Sequence, residues 1–203
     1  EFLGASYPLD RFHRFDFGLA AVTDYRDFEG LSADSKRDAR IGSVAFVRDT
    51  VRGRYLVATG GSRLRASYLA APELLGGNFT YQSLGVEGHQ YVPTGGLSAL
   101  AFRLAGIRSW GEDTPQFVLG GIGGARGYGR STVRDVGSHL ALGTAEWRVP
   151  VWSNIDYYMW YIFPDFYFKT ISLALFTDVG HTWDSRGELD RSQVRDLRHS
   201  YGV

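Results

Sequence analysis

Hydrophobic and polar residues alternate one by one along several long segments of the chain. In residues 172–180, Leu173, Leu175 and Val179 fall on one face of an extended backbone, whereas Asp178 falls on the opposite face. This period of two is typical of a β-strand whose faces meet different surroundings. The same alternation recurs in six other segments, at residues 12–23, 41–49, 54–71, 80–92, 97–109 and 139–151. No comparable helical period accompanies it, so the pattern predicts an all-β protein.

The second face of these strands is polar, and it is compatible with two architectures. It carries mostly arginine and acidic residues, namely Arg14, Asp16, Arg63, Arg65, Glu87, His89, Arg103, Glu146, Arg148 and Asp178. A soluble β-sandwich with a polar outer face and a membrane β-barrel with a polar interior both produce this alternation.

Three further features favour the membrane barrel. The predicted strands reach or exceed the roughly 9–11 residues that a tilted transmembrane strand needs. Lys36 and Lys169 are the only lysines, and arginine suits a crowded interior because its planar fork binds several acceptors. Aromatic residues gather near the predicted strand ends, as in interfacial girdles; they are Tyr7, Tyr25, Tyr55, Tyr91, Trp110, Trp152 and Trp183.

The predicted connections alternate in length. Residues 24–40 and 111–137 form long connections, whereas residues 50–53 and 93–96 form short ones. Outer-membrane barrels have long loops outside and short turns on the periplasmic side, so this rhythm is typical of them. The aromatic segment at residues 152–166 departs from the rhythm, and we interpret it as an interfacial segment that extends the flanking strands.

Composition excludes several other classes of protein. Lys+Arg and Asp+Glu are both 22, giving a net charge of +0, which argues against binding nucleic acid by neutralising phosphates. The absence of cysteine excludes a disulfide scaffold and a thiolate metal site. The five histidines are too scattered for a metal site, and no activated serine or thiol is present for catalysis. We therefore expect no metal, no cofactor and no catalytic residue.

A glycine-rich stretch at residues 117–128 carries the most specific signal. Its functional motif consists of Gly120, Gly121, Arg126, Gly127 and Tyr128. It is not a phosphate-binding loop, because an arginine stands where the third glycine belongs and no helical pattern follows. Glycines let such a loop fold tightly and approach a wall closely.

Three motifs in order resemble those of one family, the BamA-type outer-membrane assembly superfamily, also called bacterial surface antigens. They are Phe117-x-x-Gly120-Gly121 with Ala125-Arg126-Gly127-Tyr128, the strand Ala145-Glu146-Trp147-Arg148-Val149-Pro150, and Leu175-Phe176-Thr177-Asp178-Val179-Gly180-His181-Thr182-Trp183. The resemblance covers most of the chain. The first motif departs from the family pattern at Ala125, where Val or Ile is usual.

The resemblance implies a transmembrane antiparallel β-barrel of about 16 strands, of which this chain holds roughly half. The chain begins at Glu1 with no signal peptide, and residues 200–203 resemble the start of an uncompleted strand. We therefore expect residues 1–203 to be the central-to-C-terminal part of one surface-antigen barrel domain, truncated at both ends.

The resemblance also implies that the long loop folds back into the barrel. Because side chains alternate between the two faces of a strand, Glu146 and Asp178 both face the polar side of adjacent strands. An inserted Arg126 guanidinium therefore fits between their carboxylates. We predict a lumen lock in which Glu146, Asp178 and Gly180 are the partners of the loop. In the alternative, Glu146 pairs locally with Arg103 or Arg148, and the loop arginine stays in solvent.

The expected function is that of a non-enzymatic barrel in a bacterial outer membrane that inserts or exports proteins. Its expected partners are outer-membrane lipid, client outer-membrane or secreted proteins, and periplasmic or lipoprotein accessory subunits, without nucleic acid. Two alternatives remain open. The barrel could anchor or export a fused enzyme such as a patatin-like lipase, or it could be a passive pore or surface antigen.

Overall fold

A computed structural model describes residues 1–26, 35–54, 57–121, 123–128, 136–159, 166–184 and 197–203. The strands are β1 (Phe2–Pro8), β2 (His13–Arg26), β3 (Ser35–Asp49), β4 (Arg52–Arg54), β5 (Val57–Ala71), β6 (Tyr81–Gly95), β7 (Ser98–Trp110), β8 (Phe117–Val118), β9 (Val136–Gly137), β10 (His139–Met159), β11 (Phe166–Trp183) and β12 (Arg198–Gly202). A short 3-10 helix, Glu73–Leu75, lies between β5 and β6. No helix among these described residues is long and apolar enough to cross a membrane.

Among the described residues, nine strands form one antiparallel sheet in the order β1-β2-β3-β5-β6-β7-β10-β11-β12. The short β4 pairs with β5, and β8 pairs with β9 in a separate two-stranded sheet. The all-β prediction is confirmed, and each of the seven predicted segments forms part of a strand. Strand β1 was not predicted, because Phe2–Pro8 is apolar on both faces near its start and shows no clear period of two.

The strands run further than the alternation predicted. Residues 24–40 were expected to be a long connection, but β2 continues to Arg26 and β3 begins at Ser35. Thr23 and Asp38 form one of the pairs in this extension: they lie opposite each other in the ladder, and the threonine hydroxyl donates to the carboxylate at 3.1 Å. Polar cross-strand pairs of this kind continue the ladder beyond the apolar part of the hairpin, where no hydrophobic period signals a strand.

The aromatic segment at residues 152–166 does extend its flanking strands. Strand β10 continues to Met159 and β11 begins at Phe166, with register shifts after Pro150 and Ser153. Residues 160–165 lie outside the described residues. So does Tyr55, one of the aromatic residues assigned to the girdle.

The two faces of the sheet differ as the alternation predicted. Large apolar side chains stand exposed on one face, including Leu104, which is 72% exposed; others on that face are Phe17, Leu19, Leu84, Val86, Phe102, Trp147, Leu173, Leu175 and Val179. The opposite face carries ion pairs, of which one example is Asp16 with Arg14 and Arg65. We call these the apolar face and the polar face.

Candidate functional site

The connection between β7 and β10 folds back on itself over the polar face. The Gly124 amide donates to the Gly121 carbonyl at 3.1 Å, and the Ala125 amide donates to the Leu119 carbonyl at 2.8 Å. Gly121 adopts a φ of +92°, a left-handed conformation that favours glycine. A Cβ at Gly124 would lie 2.2 Å from the Leu119 carbonyl oxygen, so this tight fold requires glycine there.

The turn presents Arg126 to two carboxylates. Its Nη1 donates to Glu146 Oε2 at 2.8 Å, and its Nε and Nη2 donate to the two oxygens of Asp178 at 3.0 and 3.1 Å. Its backbone amide also donates to Asp178 Oδ2, at 2.9 Å. Asp178 is 1% exposed, so its charge is neutralised inside the protein rather than by water.

The register of two neighbouring strands brings these carboxylates together. In the β10–β11 ladder, Glu146 lies opposite Phe176, and Thr144 lies opposite Asp178. The two acids are therefore diagonal neighbours on the polar face, separated by the distance that a guanidinium can bridge. The alternation of residues in the sequence thus placed both acids on the polar face of adjacent strands, where the structure has them.

Phe176 is a site residue to which the sequence analysis assigned no role. The Arg126 guanidinium carbon lies 3.5 Å from the centre of its ring, within the range of a cation–π contact. Phe176 was visible in the sequence as an apolar residue on an otherwise polar face. That exception to the alternation was the signal that could have identified it.

Replacing Phe176 with leucine should weaken the loop contact by about 1–2 kcal/mol, because a partly desolvated cation–π contact contributes up to about that amount. We expect faster trypsin cleavage within residues 111–137 of the folded protein. Phe17→Leu on the apolar face is the matched control, since Phe17 is 49% exposed and lies on β2, away from the strands that bind Arg126. Equal cleavage rates in the two variants would show that the Phe176 ring does not stabilise the docked loop.

Gly180 contributes space rather than a hydrogen bond. A Cβ at this position would lie 2.5 Å from Leu119 Cδ1 and 3.0 Å from the Ala141 carbonyl oxygen. Leu119 is fully buried and forms a small apolar cluster with Ala125 and Leu142. The missing side chain therefore lets the loop leucine pack directly on β11.

The remaining motif residues shape the turn and fix its end. Gly120 pairs with Ala125 in an isolated bridge, and Gly127 has a φ of +82°. The Tyr128 hydroxyl donates to the His199 carbonyl on β12 at 2.8 Å. The loop is thereby tied to a third strand beyond the two that carry the acids.

The local pairing considered as an alternative is present only in part. Arg148 Nε donates to Glu146 Oε1, but the other carboxylate oxygen accepts from Arg126. Arg103 pairs with Glu87 instead. Glu146 therefore accepts hydrogen bonds from Arg148 on its own strand and from Arg126 in the loop.

Comparison with known proteins places the chain in a family. A model of the Omp85 superfamily domain matches residues 6–203. The chain belongs to the Omp85 superfamily. This confirms the resemblance inferred from the three motifs.

A solved structure of this type has the same fold. The Omp85 chain is similar to "The crystal structure of BamA from Haemophilus ducreyi lacking POTRA domains 1-3", with a TM-score of 0.72 and 16% sequence identity. The match covers 99% of this chain and 46% of that chain, so this chain spans less than half of the solved one. Among curated proteins, none matches the chain. The sheet is accordingly part of an antiparallel β-barrel, as predicted.

Proposed function

We propose that this Omp85 chain forms the central-to-C-terminal part of an outer-membrane barrel that inserts or translocates proteins without catalysing a reaction. The observation that carries the proposal is the Arg126 contact with Glu146 and Asp178, made by a loop lying on the polar face of a barrel sheet. A loop fixed there occupies the barrel interior, which is where a translocating or inserting barrel must control access.

Placement in a bacterial outer membrane is supported by the apolar face. Residues such as Leu104, Phe102 and Leu175 stay exposed on the sheet, and lipid is a surrounding in which such exposure is favourable. The polar face then becomes the barrel interior, where strand backbones are paired and charged groups are matched by ion pairs.

In the proposed mechanism, the lumen lock keeps the 111–137 loop against the wall while the barrel exchanges edge strands with a client. Charge-assisted hydrogen bonds to two acids hold the loop arginine, and an exposed strand edge elsewhere in the barrel pairs with an extended client segment. The partners implied are outer-membrane lipid, client outer-membrane or secreted proteins, and accessory periplasmic or lipoprotein subunits.

Reconstitution tests this proposal. The complete protein, including residues outside this chain, is placed in phospholipid vesicles and mixed with an unfolded outer-membrane barrel as the client. We expect the client to become folded and protease-protected faster than in empty vesicles. Ion conductance without any gain in client folding would point to a passive pore, and ester hydrolysis by the complete protein would point to a fused lipase.

A further inference from the structure

A second arginine contacts the same loop from a different strand. Arg103 lies on β7, and its Nη1 donates to the Gly123 carbonyl at 2.6 Å. Its Nε donates to Glu87 Oε1 on β6 at 2.7 Å. Neither Arg103 nor Glu87 belongs to the three motifs discussed above.

The strand register and the neighbouring side chains orient this guanidinium. Arg103 lies directly opposite His89 in the β6–β7 ladder, and Glu87 is its diagonal neighbour. His89 Nε2 lies 3.1 Å from the same Glu87 oxygen that accepts from Arg103. Glu87 therefore holds one edge of the guanidinium on the wall, which leaves another edge directed at the loop.

The accepting carbonyl sits at the tip of the glycine turn. Gly123 has a φ of +81°, and the amide after it, that of Gly124, donates back to Gly121. The contact is three residues ahead of Arg126, whose own partners lie on β10 and β11. One arginine belongs to the loop and binds acids of the wall, whereas the other belongs to the wall and binds a carbonyl of the loop.

We propose that Arg103, oriented by Glu87, is a second positioning residue that fixes the tip of the loop through the Gly123 carbonyl. We call this contact the Arg103 clamp. The inference rests on the proposed role of the loop in the lumen, and it adds that the lumen lock alone does not set the conformation of residues 123–125. Release of the loop then requires both the Arg126 ion pairs with β10 and β11 and the Arg103 hydrogen bond from β7 to break.

Amide hydrogen exchange at single-residue resolution tests the clamp in the complete protein in lipid nanodiscs. Arg103→Gln should speed exchange at the Gly124 and Ala125 amides about tenfold, since a hydrogen bond from a charged donor is lost. Arg103→Lys should give a smaller increase, because an ammonium group cannot hold Glu87 and the carbonyl in one planar fork. The matched control is Arg14→Gln, since Arg14 also lies on the polar face but pairs with Asp16 on its own strand, β2.

The Arg126 amide separates this inference from the lumen lock. That amide donates to Asp178, so Asp178→Ala should speed its exchange while Arg103→Gln leaves it within about twofold of the control. If Arg103→Gln fails to fold, Glu87→Gln keeps the arginine and removes the charge that orients it, and should raise exchange at the same two amides. Exchange at Gly124 and Ala125 that matches the control in whichever of these variants folds would overturn the clamp, even if Asp178→Ala behaves as expected.

Discussion

Replacing Asp178 with alanine is expected to free the 111–137 loop from the barrel wall. The carboxylate is almost fully buried and accepts three hydrogen bonds from Arg126, two from the guanidinium and one from the backbone amide. Arg126 keeps its bond to Glu146, but the loop loses three hydrogen bonds to a buried carboxylate. Each hydrogen bond to a charged group contributes about 1.5–3 kcal/mol, so we expect the docked loop to lose about 3 kcal/mol or more. A loss of 3 kcal/mol corresponds to a more than hundredfold shift in the equilibrium between docked and undocked loop.

Trypsin cleavage measures this shift, because the loop contains three arginines, at positions 126, 130 and 134. We expect cleavage within the loop to accelerate strongly in Asp178→Ala, at protease levels where the rate follows the fraction of open loop. Asp16→Ala is the control, since Asp16 also lies on the polar face in an arginine ion pair but is held by Arg14 and Arg65. The same loop cleavage rate in Asp178→Ala and Asp16→Ala would contradict the lock.

The sequence and the family resemblance predicted the two acids that bind Arg126, but not the ring of Phe176. Alternation with a period of two assigns each strand residue to a face, and it placed Glu146 and Asp178 together because any slip of one register position would expose the apolar set. The motifs supplied the missing step, that the loop folds inward. Both the alternation and the motifs were needed, since alternation assigns faces only to strand residues and does not predict the path of a long loop.

Other parts of the site could not be predicted, for identifiable physical reasons. The Arg103 clamp depends on a backbone carbonyl at Gly123, and every residue has such a group, so no residue type marks it. The packing of Leu119 over Gly180 depends on how far the loop descends along β11. The extra length of β2 and β3 comes from polar cross-strand pairs, which leave no hydrophobic period in the sequence.

Replacing Arg126 with alanine should open the barrel interior to ions. The substitution removes the guanidinium from both acids, and of the contacts described above it keeps the backbone amide bond to Asp178 and the Arg148 bond to Glu146. The buried Asp178 then retains its charge without a cation, at a cost of about 3–5 kcal/mol. Because the docked loop is the state that contains this unpaired charge, the loop should leave the wall and the single-channel conductance in a planar lipid bilayer should rise.

Arg126→Lys distinguishes charge from geometry in the same measurement. Lysine keeps the positive charge but cannot offer the fork that reaches Glu146 and both oxygens of Asp178, so conductance should lie between that of the native protein and Arg126→Ala. Arg14→Ala is the control, because it removes a cation from the polar face on β2, where Arg14 pairs with Asp16. A pore whose loop does not block it would conduct equally in all four proteins. That result would favour the passive pore over the locked barrel, because the ion pairs of Arg126 would then stabilise the wall without governing what passes through it.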